Sequence, residues 1–166
     1  MLKKKLTKNE LTIGSWVMIG NSTSVEVMAS AGFDWLAIDL EHTSIDLENV
    51  QNLIQIIQSK NIKALVRVSK NEEVIIKKVL DMGADGIIVP MICSKDDAIQ
   101  AINYSKYPPF GKRGVGLTRA SGYGLHFEEY KEWVKKELVV IAQIEHINAV
   151  NNIDEIIEVD GIDGVM

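Results

Sequence analysis

Six short runs of this chain are apolar at consecutive positions rather than at every second one, and that restricts the fold more than any other feature. Runs such as Ile87-Ile-Val89 and Val139-Val-Ile-Ala142 suit parallel strands covered on both faces, whereas a half-exposed antiparallel strand would alternate. The runs begin near Ile13, Trp35, Lys63, Gly86, Val139 and Gly161. Segments of helical period separate them. Leu47, Val50, Leu53, Ile54 and Ile57 form one apolar stripe, preceded by Asp46 as a candidate N-cap. Val74, Ile75, Val79 and Met82 form a second, closed by Gly83, and 148–158 gives a third with Ile153, Ile156 and Ile157 inward. Strand and helix alternating at intervals of about 22–28 residues is the βα rhythm of a barrel or a doubly wound sheet.

The turns into strands resemble one another. Ala31-Gly-Phe-Asp-Trp35, Met82-Gly-Ala-Asp-Gly86 and Val159-Asp-Gly-Ile-Asp-Gly164 each set a helix-end glycine ahead of a strand. This is the weak internal echo of stacked βα units. One connection breaks the rhythm, with roughly 53 positions between the fourth and fifth strand starts. It holds a helix over 94–105, a glycine- and proline-rich loop from Tyr107 to Gly124, and a short helix around Phe127–Trp133. The connection carries Lys112, Arg113, Arg119 and His126; Lys112, Arg113 and Arg119 are expected to form a solvated, charged loop, with phosphate or partner binding as the sharper alternative.

Length and composition place the chain among soluble proteins of one domain, 1–166. A net charge of −5 argues against a general nucleic-acid binder, and no apolar run approaches the ~18 residues of a membrane span. The lone Cys93 excludes an internal disulfide and fits a reducing compartment, so the expectation is a cytoplasmic protein.

Function is written at the C-terminal ends of three strands, where a parallel barrel places its ligands. Trp35–His42 ends in Asp39, Glu41 and His42. Ala64–Val68 carries Arg67. Val139–His146 places Gln143 and Glu145 two apart and so on one face, with His146 on the other. Asp39 and His42 either pair as carboxylate and imidazole to tune a general base, or cap the next helix. Arg67 either clamps a substrate carboxylate or neutralises Asp39 or Glu41. Glu145 suits a hard divalent cation, or is an ordinary ion-pair member. Glycine-rich phosphate loops and zinc-type Cys/His spacings are absent from the sequence.

At these residues the sequence resembles the HpcH/HpaI aldolase family, metal-dependent pyruvate aldolases on a (β/α)8 barrel. The similarity runs through Gly14-Ser-Trp16, Ile38-Asp-Leu-Glu-His42, Val66-Arg67-Val68, Val89-Pro-Met91, Tyr107-Pro-Pro-Phe-Gly-Lys-Arg-Gly114, Arg119-Ala-Ser121 and Gln143-Ile-Glu145. It implies an α/β fold of TIM-barrel type, with about six of the eight βα units in this chain. It also implies roles. His42, supported by Asp39, is the base at the pyruvate methyl group, and Arg67 holds the developing enolate oxygen. Gln143 orients the pyruvyl end, Glu41 supports the site, and Glu145 binds Mg2+, Mn2+ or Co2+.

The implied reaction is reversible cleavage of a 4-hydroxy-2-oxo acid to pyruvate and an aldehyde, in a homo-oligomer. Related alternatives are a citrate-lyase β-subunit-like lyase acting on acyl-CoA thioesters, or an inactive fragment. The family pattern places a second metal carboxylate, in a Gly-Pro-x-Asp-Leu stretch, beyond Met166. On that expectation the chain as it stands binds metal poorly and exposes unpaired sheet edges.

Overall fold

The computed structural model describes residues 2–166, so Met1 of the expected domain lies outside the described residues. Six strands form one wholly parallel sheet in sequential order: β1 (Gly14–Val17), β2 (Trp35–Asp39), β3 (Lys63–Arg67), β4 (Gly86–Val89), β5 (Val139–Ala142) and β6 (Gly164–Val165). The helices are α1 (Leu2–Thr7), α2 (Ser22–Ala29), α3 (Leu47–Ser59), α4 (Glu73–Asp81), α5 (Lys95–Ser105), α6 (Phe127–Glu137), α7 (Ile147–Asn151) and α8 (Ile153–Ile157). This is the parallel α/β architecture that the apolar runs imply, and its sequential strand order fits the (β/α)8 type that the family resemblance implies.

Parity along the strands sorts the core into two layers. Leu36, Ile38, Ala64, Val66, Ile87, Val89, Val140 and Ala142 point out to the helices, where they join the fully buried stripe Val50, Leu53, Ile54 and Ile57 of α3. Their neighbours point to the other face, and a smaller cluster of Ala37, Leu65, Ile88 and Val139 forms there. Leu2 and Leu6 of α1 pack into this inner cluster with Trp16 and Trp35. Each fully buried Leu or Ile of the outer layer contributes about 1.5–3 kcal/mol. Most of the fold's hydrophobic stabilisation therefore lies between sheet and helices.

Three aspartates pin the N-terminal end of the sheet in one recurring way. Asp34, Asp85 and Asp163 each stand one residue before an even-numbered strand, after a glycine in the left-handed region (Gly32 φ +89°, Gly83 φ +96°, Gly161 φ +104°). Each donates its own N–H to the carbonyl of one residue on the preceding strand side: Ile13, Ala64 and Val140 respectively. Each carboxylate then accepts the N–H of that same residue, at 2.8, 3.0 and 2.9 Å. A lysine completes each unit, Lys5 for Asp34, Lys63 for Asp85 and Lys3 for Asp163. The echo in the sequence is thus a clasp that joins β1 to β2, β3 to β4 and β5 to β6.

Three expectations are corrected. The sixth strand begins at Gly164 rather than near Gly161, because Gly161 and Asp163 are spent on the turn and the clasp. The expected helix over 148–158 is two short helices, α7 and α8, broken at Asn152, whose side-chain amide donates to the Cys93 carbonyl at 2.9 Å. The β4–β5 connection is not a solvated charged loop throughout. Arg113 is only 2% exposed, paired to Asp81 at 2.6 Å and lying over the Tyr107 and Tyr130 rings at 4.8 and 5.5 Å. A cation is stable there because a carboxylate and two aromatic faces replace its water. Arg119 bridges the Met82 carbonyl and Gln58 on neighbouring helices, tying the connection to the N-terminal end of the sheet.

Candidate active site

Asp39 and Arg67 are register partners on adjacent strands, at the last position of each. Both point to the inner face, because Ala37 and Leu65 two residues earlier do so. They meet as a bidentate pair: Arg67 Nε donates to Asp39 Oδ1 at 2.9 Å and Nη2 donates to Oδ2 at 2.8 Å. The Trp16 ring lies under the guanidinium at 4.6 Å. Asp39 is fully buried, and its Oδ1 also accepts the backbone N–H groups of Glu41 and His42. Burial alone would push its carboxyl up. The Arg67 fork and the two amides outweigh that and hold it below the usual carboxylate range. The Asp39 carboxylate raises the Arg67 pKa in turn.

Gln143 and Glu145 continue the inward parity of Ile141 past the end of β5. Gln143 accepts from Arg67 Nη1 at 3.3 Å and donates to Glu145 Oε2 at 2.8 Å. Glu145 Oε1 accepts the Met91 N–H at 2.8 Å. Met91 adopts φ +53° to present it, a left-handed conformation that costs a residue with a side chain about 1–2 kcal/mol. Strain of this kind collects at functional sites. Glu41 reaches in from after β2, with Oε2 3.3 Å from Arg67 Nε and 3.4 Å from Gln143 Nε2.

The structure therefore brings Asp39, Glu41, Arg67, Gln143 and Glu145 into one hydrogen-bonded set at the C-terminal ends of β2, β3 and β5. His42 stands at its edge. Its side chain is 62% exposed, and Nε2 lies 3.6 Å from Glu41 Oε2. The expected Asp39–His42 imidazole pair is replaced by a bond to the His42 backbone, because Arg67 occupies both carboxylate oxygens. His146 faces away and caps α7 through Nδ1. Sequence reasoning missed Met91, for which the only available signal was its place directly after Val89-Pro90 at a strand end.

The donor set fits a hard cation at one position. Glu145 is exposed, and each of its oxygens accepts one hydrogen bond, which leaves lone pairs for an oxygen-coordinated ion such as Mg2+. Among the described residues no group of three or more His, Cys, Asp and Glu side chains is gathered to hold a metal by itself. The remaining ligands would have to come from a bound molecule and water.

Comparison with known proteins agrees with this geometry. The family model for HpcH/HpaI aldolase/citrate lyase matches residues 12–166. A 4-hydroxy-2-oxovalerate aldolase of Rhodococcus jostii is 42% identical over 144 residues, covering 86% of this chain and 55% of the relative. The crystal structure of an HpcH/HpaI aldolase/citrate lyase family protein from Burkholderia cenocepacia superposes with a TM-score of 0.92 at 30% identity, over 99% of this chain and 66% of that one. Citrate synthase SbnG gives a TM-score of 0.87 at 32% identity, over 99% of this chain and 63% of its own. The chain spans about half the length of the curated relatives it matches. With nearly every described residue matched and the strand-end acids and arginine in one network, this chain belongs to the HpcH/HpaI aldolase/citrate lyase family.

Proposed function

We propose that the chain carries the enolate-forming half of a metal-dependent pyruvate aldolase, which cleaves a 4-hydroxy-2-oxo acid reversibly to pyruvate and an aldehyde. The observation that supports this most is the Asp39–Arg67–Gln143–Glu145 network. It sets a guanidinium and a side-chain amide beside a carboxylate suited to a hard cation. Three of the five N–H groups of Arg67 are engaged by Asp39 and Gln143. The other two are available to an oxygen on which negative charge develops, held in place by the Asp39 fork. Gln143 fixes the rotation of that guanidinium and can turn its amide to a ligand carboxylate. His42, exposed and beside Glu41, takes the proton from the carbon next to the carbonyl and returns it. Glu145 would hold Mg2+, Mn2+ or Co2+, which supplies Lewis-acid stabilisation of the same charge.

The reading extends to a cytoplasmic homo-oligomer with small-molecule substrates. Exposed Val115, Leu117, Tyr123 and Leu125 on the β4–β5 connection support association with further copies. Among the described residues no helix is long and apolar enough to cross a membrane.

The test is pyruvate release from 4-hydroxy-2-oxo acids in the presence of each metal. His42→Ala and Arg67→Ala should each lower kcat by a factor on the order of 10²–10⁴. Undiminished activity in chelator, or a borohydride-stable lysine adduct, would exclude this mechanism. Cleavage of acyl-CoA thioesters with no pyruvate release would move the assignment to the citrate-lyase side of the family.

A further inference from the structure

Three carboxylates face a single guanidinium at this site, and they are not held alike. Asp39 is fully buried and clamps Arg67 at 2.8 and 2.9 Å. Glu145 is anchored at 2.8 Å on both oxygens, by Met91 and by Gln143. Glu41 differs. A single oxygen, Oε2, lies 3.3 Å from Arg67, 3.4 Å from Gln143 and 3.6 Å from His42. Charge-assisted hydrogen bonds normally settle at about 2.7–2.9 Å. Glu41 is therefore loosely seated: the single Arg67 Nε–H is already given to Asp39, and the one hydrogen bond Oε2 accepts is the long one from Gln143.

We infer that Glu41 is a placeholder: its carboxylate stands beside the Arg67 and Gln143 groups that take the anionic oxygen of a 2-oxo acid, and the acid displaces it on binding. This rests on the reading of the strand ends as a 2-oxo acid site. The groups beside Oε2, a guanidinium with two free N–H groups and a primary amide, are those that recognise a carboxylate or enolate oxygen. Without a cation on Glu145, a fourth negative group joins three around one arginine only at a high cost, which favours the departure of one. Asp39 and Glu145 are each fixed by short bonds on both oxygens, and only Glu41 lacks such anchoring. The exposed His42 ring, already 3.6 Å from Oε2, remains within reach of the displaced carboxylate. An occupied seat lowers apparent affinity in proportion to the time it is filled. Glu41 thus keeps the arginine oriented in the empty site and sets a threshold against weakly bound anions.

The test is a titration with pyruvate, followed through the Arg67 Nε–H and Gln143 side-chain amide resonances. Glu41→Gln should tighten binding by on the order of tenfold, because the neutral amide competes poorly for the guanidinium. Glu48→Gln, the same charge change on the exposed side of α3, should leave it unaltered. Arg67→Lys keeps the charge Asp39 needs but loses the fork, and should abolish the response. If Glu41→Gln binds no tighter than the parent while Arg67→Lys fails to bind, the placeholder role is wrong and the site reading stands. If Arg67→Lys binds like the parent, the site reading itself falls. Silence from both the parent and Glu41→Gln overturns the inference.

Discussion

The two ends of the same six strands treat charge in opposite ways. At the N-terminal end, Asp34, Asp85 and Asp163 meet Lys5, Lys63 and Lys3 one for one, and each aspartate also binds a backbone N–H. Each of these six charges has its partner. At the C-terminal end, Asp39, Glu41 and Glu145 crowd around Arg67 alone. An excess of carboxylate that the fold leaves uncompensated destabilises the empty protein and becomes favourable only with a bound cation. One-for-one pairing marks the end that holds the sheet together, and an excess of carboxylate marks the end proposed to bind.

The largest test of this contrast is Asp85→Ala. It strips Ala64 N–H, Gln58 and Lys63 of their acceptor at a position 7% exposed, and should cost on the order of 3 kcal/mol in urea unfolding. An equal loss from Glu145→Gln would break the comparison. Asp39 is the one acid of the binding end that also stabilises. Its carboxyl is held below the ordinary range, so its contribution is present above about pH 4 and lost as pH falls through the folded-state value. Asp39→Asn should therefore be less stable than the parent by about 1–3 kcal/mol at pH 7. The gap should narrow progressively as unfolding is repeated at pH values below about 4. A gap independent of pH would show that the charge contributes nothing. The smallest expected effect has the opposite sign. Glu145→Gln relieves crowding among the carboxylates, and should raise stability by roughly 0.5–1 kcal/mol without added metal. Added Mg2+ should then stabilise the parent more than the variant.

Much of this was legible along the chain because it depends on local parity. Continuous apolar runs place the strands, and counting by two from Ala37, Leu65 and Ile141 sends Asp39, Arg67, Gln143 and Glu145 to one face. The rest depends on partners far away in sequence. Arg113 looks solvated among Gly111, Lys112 and Gly114, and is buried because Asp81 and Tyr130 arrive from separate helices. Asp39 looks like the partner of His42, three residues away, but Arg67, 28 residues away, claims its carboxylate. The clasps were visible only as an echo, since the N–H and carbonyl that each aspartate binds on the preceding strand are backbone groups that carry no residue identity.

The clasp has a consequence for how such a chain can be cut and lengthened. It joins strands in twos, so the working module is a double unit, and the seams fall between β2 and β3 and between β4 and β5. The long connection with its extra helix α6 enters at the second seam, where no aspartate carboxylate has to find its strand across the inserted residues. Insertions, fusion points and permuted termini belong at those seams. The same changes placed inside a pair would separate an aspartate from the one backbone residue it grips with both hydrogen bonds.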